Sequence, residues 1–236
     1  FAFTNQYDET GKISRSWLYT YKNGVTYYDY ESLDENSSLS PGVGYTQKGT
    51  GILEAEQQYL FEGKPNNGTI LIDVLDKGGN GSVPATSKTD YLLGNPYPSA
   101  IDIHKFIDDN QGIISGSLFL WQQWSGSSHY LNEYNGGYAQ VTKTGSTRAY
   151  QFVDIYGETN GEQLGTKMQT RYLPVGQGFM VEIVGDGNVI FQNSQRVFVK
   201  EDDANGSYNN GSVFFRSANS VNNTTLLKTI QIQKKV

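Results

Sequence analysis

Cysteine is absent from the 236 residues, which removes disulfides and thiolate metal sites without fixing a compartment, since many secreted bacterial proteins also lack it. Basic residues are few. With 18 Lys and Arg against 24 Asp and Glu the net charge is -6, so no positive field gathers phosphates and nucleic acid is disfavoured as a partner. No apolar run approaches the roughly 20 residues that a membrane-spanning helix needs. Neither a start methionine nor a signal peptide opens the sequence, which reads as a processed or partial product beginning at Phe1.

Tyrosine (17) and glycine (27) are abundant, a composition that suits twisted sheets exposed to an extracellular medium. Asn-Gly steps begin at Asn23, Asn67, Asn80, Asn135, Asn160, Asn205 and Asn210, and Asp186-Gly187 adds a similar one. Both residue types tolerate the positive φ of tight hairpin turns. Runs of strand character lie between them, including Gly68 to Val74, Ser117 to Trp121, Gly178 to Val184 and Ser212 to Arg216. The expectation is an all-β fold, an antiparallel β-sandwich of about a dozen to fifteen strands, with one short helix near 99–110. Ser99 is its expected N-cap, with Asp102 completing a near capping box; Ile103, Phe106 and Ile107 recur at helical spacing until Asn110-Gln-Gly112. Pro96 and Pro98 end the strand Tyr91 to Leu93, and either X-Pro bond is open to a cis corner.

Two segments resemble each other. Leu39-Ser-Pro-Gly-Val-Gly-Tyr45 and Leu173-Pro-Val-Gly-Gln-Gly-Phe179 share a leucine, a proline, a Gly-Xaa-Gly step and an aromatic leading into a strand. Each follows an aromatic-rich stretch (Trp17 to Tyr21, then Phe119 to Trp124) and precedes a strand holding Phe61 or Phe191. Duplicated strands and turns point to scaffold, because repeated β-units bury their repeated aromatics. The chain then divides into a first β unit over 1–85 and a second over 86–236, with a polar insertion at 140–170 expected on loops. These form one sandwich or two packed, internally duplicated sandwich units. No Lys-Ser/Thr follows Gly42-Val-Gly44 or Gly176-Gln-Gly178, so Gly44, Gly176 and Gly178 read as bulges or close backbone crossings instead of phosphate loops.

The string Leu93-Gly-Asn-Pro-Tyr-Pro-Ser-Ala-Ile-Asp102, with Gly94, Asn95, Pro96 and Pro98 at its centre, is followed by Trp121, Gly136-Gly-Tyr138, Pro174 to Phe179 and Phe191-Gln-Asn-Ser-Gln-Arg196. Together they resemble the β-rich, non-catalytic region upstream of the C-terminal sorting domain in large type IX-secreted surface proteins of gliding bacteria. The resemblance spans roughly residues 39 to 200. It implies an extracellular or outer cell-surface location, with the type IX secretion machinery or other surface proteins as partners, and it assigns no reaction. Thr225 to Val236 departs from that pattern, reading as a strand and not as a complete sorting domain. Ser212 to Val236 also has the character of an edge strand able to pair with a neighbouring sheet.

For catalysis the material is thin. His104 and His129 are the only histidines, both read as surface side chains, and no Gly-Xaa-Ser-Xaa-Gly elbow is present. A glycosidase dyad would draw on Asp29, Glu31, Glu54, Glu56, Asp154 or Glu182, most of which alternate with apolar residues as solvated positions do. Calcium would use Asp73, Asp76 and Asn80, or Asp108, Asp109 and Asn110, or Glu201, Asp202 and Asp203 as oxygen ligands, although none matches the EF-hand loop. An aromatic platform is the stronger candidate. Trp124, Tyr130, Tyr134 and Tyr138, with Trp121 nearby, offer a flat surface on which sugar rings stack, with Gln123, Asn132 and Asn135 as hydrogen-bond partners. Strand alternation puts Phe119 and Trp121 on one face and Leu120 and Gln122 on the other, and Trp121 is expected in the core.

The sequence therefore reads as a non-catalytic extracellular module acting in adhesion, assembly or glycan contact, with no catalytic residue, metal ligand or cofactor assigned. The alternative is an extracellular polysaccharide-degrading enzyme or its accessory domain.

Overall fold

The computed structural model describes residues 2–7, 9–50, 63–125, 135–151, 164–200, 211–215 and 227–230. In chain order the first strands are β1 (Ala2–Thr4), β2 (Lys12–Ser14), β3 (Tyr19–Tyr21), β4 (Tyr30–Ser32), β5 (Tyr45–Lys48), β6 (Ile70–Val74), β7 (Thr89–Gly94) and β8 (Ala100–Asp102). Helix α1 (Ile103–Asp109) follows. The remainder are β9 (Ile114–Ser125), β10 (Asn135–Thr142), β11 (Gly145–Ser146), β12 (Tyr150–Gln151), β13 (Tyr172–Leu173), β14 (Gly178–Ile183), β15 (Gly187–Phe191), β16 (Arg196–Val197) and β17 (Leu227–Ile230). The fold is all-β.

The largest sheet runs β11-β10-β9-β14-β7, with β12 also on β10, and a second runs β17-β5-β3-β4. Smaller sheets are β13-β8-β16 and β15-β6, and apart from the short parallel pair β1-β2 every pairing is antiparallel. Period-2 alternation decides the inner face. Tyr91 and Leu93, Leu118 and Leu120, Ala139 and Val141, and Phe179, Val181 and Ile183 all point into one apolar core. Ile72, Val74, Val189 and Phe191 of the β6–β15 ribbon close that core from the opposite side. Helix α1 fills the space between: Phe106 lies edge-on to Phe179 at 5.5 Å and tilted against Phe191 at 4.9 Å. Burying rings of this size contributes about 1.5–3 kcal/mol each.

The twin glycine corners clasp one strand from its two edges. On one side β14 pairs with β7, placing Gly178 opposite Gly94 and Phe179 opposite Leu93. On the other, Val43 bridges the same Leu93 while the Gly44 N–H donates to Leu92 O (2.9 Å) and the Gly94 N–H to Gly42 O (2.9 Å). The first glycine of each Gly-Xaa-Gly step is left-handed, Gly42 at φ +92° and Gly176 at φ +70°. A Cβ on Gly44 would stand 2.5 Å from the Leu93 carbonyl oxygen. Each corner is thus fixed by backbone geometry that a side chain would disturb.

Several sequence expectations are corrected. The helix is capped by Asp102 and not by Ser99: its Oδ1 accepts from the N–H of His104 (3.0 Å) and Lys105 (3.5 Å). Ala100 and Ile101 are drawn instead into β8 between β13 and β16, where both are buried. Asn95–Pro96 and Tyr97–Pro98 are both trans. Asn135-Gly136 is no turn but the bulged start of β10, where the space a Cβ would take lies 2.7 Å from the Trp121 indole. Asp186-Gly187 leads from the large sheet into the β6–β15 ribbon and does not join a hairpin. Part of the 140–170 insertion is sheet, since β11 and β12 both fold back onto β10. Within the stretch expected to form an edge strand, β17 is the edge of the four-stranded sheet, paired with β5; Phe61 lies outside the described residues.

Candidate functional site

The outer face of the large sheet carries the residues that alternate with the core. Asp90 and Leu92 of β7, Met180 and Glu182 of β14, Phe119 and Trp121 of β9, and Tyr138 of β10 occupy it. Asp90 stands directly opposite Glu182, and Tyr138 directly opposite Trp121. The last two rings meet edge-on at 5.0 Å.

The four-stranded sheet brings a second group of aromatics against this face. Backbone bonds between Gly24 and Asp90, 3.0 and 2.8 Å, lock the β3–β4 connection to the edge of β7. Tyr27 and Tyr28 lie in that connection, between Tyr21 at the end of β3 and Tyr30 at the start of β4. Tyr30 touches Tyr21 (4.5 Å), Tyr27 (5.8 Å) and Tyr19 (6.3 Å), and it faces Tyr138. Tyr27 and Tyr28, perpendicular to one another at 6.0 Å, remain 56 % and 88 % exposed. Asp29 fixes the loop by accepting from the N–H groups of Val25 and Thr26, both 2.8 Å, and the Tyr21 hydroxyl donates to Thr26 O (2.7 Å).

Burial against this aromatic cluster pushes the Asp90 carboxyl up to about 6, with Glu182 adding to the shift and Lys88 opposing it. Glu182 is itself tied to Lys88 at 3.0 Å. Burial also raises the Tyr21, Tyr30 and Tyr138 hydroxyls, and the Asp90 charge adds to each. Among the described residues no side chain or N–H donates a hydrogen bond to the Asp90 carboxylate. The cluster therefore offers exposed π-faces at Tyr27 and Tyr28, an arrangement suited to a ligand with an apolar face.

Of the expected platform residues, Tyr138 is at the centre of this cluster. Trp124 lies in β9, but its side chain is outside the described residues, as are Tyr130, Tyr134 and Asn132 and the side chain of Asn135. Trp121 sits on the outer face and is partly exposed, not in the core as expected, because Leu118 and Leu120 take the inward positions. The rings of Tyr19, Tyr21, Tyr27, Tyr28 and Tyr30 meet at angles of 49–84° and make an angled cluster. Composition alone singled out none of Tyr27, Tyr28 or Asp90. The dense Tyr27-Tyr28-Asp29-Tyr30 run was visible in the sequence, whereas its meeting with Tyr138 depends on how Gly24 docks onto β7.

The other candidates are dispersed or engaged. Glu31 pairs with Lys22 at 2.6 Å, Asp29 caps its loop, and Glu54, Glu56, Asp154 and His129 lie outside the described residues. Asp76 Oδ1 accepts from Gly78 N (3.0 Å) and from the Thr89 hydroxyl (3.0 Å), and the Asn80 amide donates to Asp76 O (2.7 Å). Asp108 pairs with Lys143, Asp109 accepts from Gln195, and Asn110 is buried against the Ile190 backbone. Glu201, Asp202 and Asp203 lie outside the described residues, and among the described residues no cluster of three metal-ligating side chains occurs.

The motif residues knit the scaffold. The Asn95 amide donates to Ser99 O (2.8 Å) and Pro174 O (3.0 Å) while its oxygen accepts from Tyr97 N (3.0 Å). Asn95 N–H donates to Gln177 O, so the Pro96-Tyr-Pro98 loop is tied to the Gly176–Gly178 corner. Arg196 donates to the Ser99 hydroxyl (3.1 Å) and lies over the Tyr97 ring at 5.2 Å. No curated protein and no solved structure matches the chain. A family model described as a domain of unknown function matches residues 4–233, and with nearly the whole chain matched the protein belongs to that family, DUF8693.

Proposed function

We propose that this chain is a non-catalytic extracellular module of a secreted or cell-surface protein, acting in adhesion or assembly through glycan contact at its tyrosine-rich outer face. The observation that carries the reading is the pair Tyr27 and Tyr28, 56 % and 88 % exposed and perpendicular to one another, on a loop held by the Asp29 carboxylate. Large exposed aromatics beside polar groups are the usual means of holding a sugar ring, whose C–H face packs on the π-face while its hydroxyls reach the polar atoms. Export, and the type IX machinery or other surface proteins as partners, are supported by the resemblance of the 93–102, 174–179 and 191–196 motifs.

One observation favours a second reading, a polysaccharide-degrading enzyme: a carboxyl held near 6 beside a second carboxylate has the character of a general acid. Against it, Asp90 and Glu182 are direct cross-strand neighbours. They project in parallel from one sheet face, and Lys88 neutralises Glu182, whereas glycoside hydrolysis needs its two carboxyls on either side of the scissile bond.

A glycan array probed with wild type and with Tyr28→Ala tests the proposal, since so exposed a ring is removable without unfolding the chain. A signal on wild type that the variant loses supports it. Release of reducing ends from a bound polysaccharide, abolished by Asp90→Asn, would replace it with the enzymatic reading.

A further inference from the structure

Three Asn-Gly steps lie wholly within the described residues, at Asn23, Asn67 and Asn80, and the fold treats them differently. An Asn-Gly step is open to attack by the glycine backbone nitrogen on the preceding side-chain amide, because glycine carries no Cβ to crowd the approach. The attack needs two freedoms. The glycine nitrogen must be able to turn and give up its proton, and the asparagine Cγ must be able to reach it. A hydrogen bond made by either group removes that freedom until it opens.

Both freedoms are taken away at Asn23 and Asn67. The Gly24 N–H donates to Asp90 O (3.0 Å) while Asn23 Oδ1 accepts from the Leu75 N–H (3.1 Å). The Gly68 N–H donates to Asn193 Oδ1 (3.1 Å) while Asn67 Oδ1 accepts from Arg196 (2.9 Å). Asn80 and Gly81 are placed otherwise. They and Ser82 are exposed in the loop between β6 and β7. Among the described residues the Gly81 N–H donates to no acceptor and Asn80 Oδ1 accepts from no donor. The side-chain bond that Asn80 does make, from its amide to Asp76 O (2.7 Å), closes within the same loop. A Cβ at Gly81 would meet no atom within 4 Å, so the space beside its nitrogen is open.

We propose that Asn80 is a site of spontaneous deamidation, singled out by the fold from these three Asn-Gly steps. The Gly81 nitrogen attacks Asn80 Cγ; the N–Cγ bond forms, the Cγ–Nδ2 bond breaks, and Nδ2 leaves as ammonia with the proton from Gly81. Solvent water then opens the cyclic imide at either carbonyl, giving aspartate or isoaspartate. Each product puts a carboxylate where the amide stood, which adds a negative charge and deletes the donor to Asp76 O. The change stays local because the base of the loop is pinned. Asp76 N–H donates to Asp186 Oδ1 (2.8 Å), Lys77 N–H to the Thr89 hydroxyl (2.8 Å), and that hydroxyl to Asp76 Oδ1 (3.0 Å).

The test is peptide mapping by mass spectrometry, with isoaspartate quantified, of the protein held at mildly alkaline pH in native buffer and, in parallel, in concentrated guanidinium chloride. In native buffer Asn80 is expected to convert at least about tenfold faster than Asn23 or Asn67, each of which must first open two hydrogen bonds. In denaturant the three steps are expected to converge to within about threefold, since each is then an unprotected Asn-Gly. Asn80→Ser is expected to remove the product from the 75–88 loop without moving the melting temperature. Asn80 left intact in native buffer would overturn the inference, as would conversion at Asn23 or Asn67 that equals or exceeds it. An Asn80 advantage that persists at full size in denaturant would also overturn it, because the selection would then belong to the local sequence and not to the fold.

Discussion

Tyr30 and Tyr138 face one another across the junction of the two main sheets, each influencing the ionisation of the other's hydroxyl. One comes from β4 and the other from β10, so the contact joins the tyrosine-bearing strand pair to the outer face of the large sheet. Tyr138→Phe deletes a hydroxyl that faces Tyr30 in a partly buried place. We expect a loss of about 1 kcal/mol in denaturant unfolding, with a smaller effect for Tyr28→Phe, whose ring is exposed.

Asp90 and Asp102 predict opposite pH behaviour. Burial raises the folded pKa of Asp90 from 3.8 to about 6, so between those values the native state holds more protons than the unfolded chain and stability falls as pH rises. Each pKa unit corresponds to about 1.4 kcal/mol, and Asp90→Asn should therefore gain on the order of 2 kcal/mol over wild type on going from pH 4 to pH 7. Urea unfolding at both pH values measures the difference; parallel changes in the two proteins would refute the shift.

For Asp102, burial opposes ionisation, but the Arg171 guanidinium at 2.8 and 2.6 Å and the N–H groups of His104 and Lys105 outweigh it and hold the pKa below 3.8. Its contribution is fully present above the unfolded value and is lost as pH falls through the folded one. Asp102→Ala removes both the helix cap and the ion pair, and we expect a loss of about 2 kcal/mol at pH 7 that shrinks on acidification below pH 4.

Two glycine substitutions separate crowding from backbone strain. Gly176→Ala introduces a Cβ at φ +70° with open space around it and should cost about 1–2 kcal/mol from the left-handed backbone alone. Gly44→Ala drives a Cβ to 2.5 Å from the Leu93 carbonyl, which is main chain and cannot rotate away. It should cost more, about 3 kcal/mol or above, and it should release the edge of β7 to faster amide hydrogen exchange at Gly94.

Much of the scaffold was legible because its signals are local. Alternation in Gly178 to Ile183 and in Ile114 to Trp121 follows from period-2 geometry, and the glycines of the two corners announce their backbone needs in one Gly-Xaa-Gly step each. The helix was misplaced at its start because Ala100 and Ile101 are recruited by β13 and β16, partners about 70 to 100 residues away in sequence. The site was harder still. Tyr138 could be chosen from aromatic density near Trp121, but Tyr27, Tyr28 and Asp90 join it only through the Gly24–Asp90 bridge, a contact with no motif of its own. Asp90 gave no sign of its burial, since alternation marks it as an outward position.

The most direct measurement is a calorimetric titration of the strongest array glycan into wild type, Tyr27→Ala/Tyr28→Ala and Leu71→Ala, the last altering an exposed apolar residue of β6 that is not among the clustered tyrosines. The account predicts at least about a tenfold loss of affinity in the double tyrosine variant, an unchanged melting temperature, and wild-type affinity in Leu71→Ala. Equal affinity in all three proteins would contradict it.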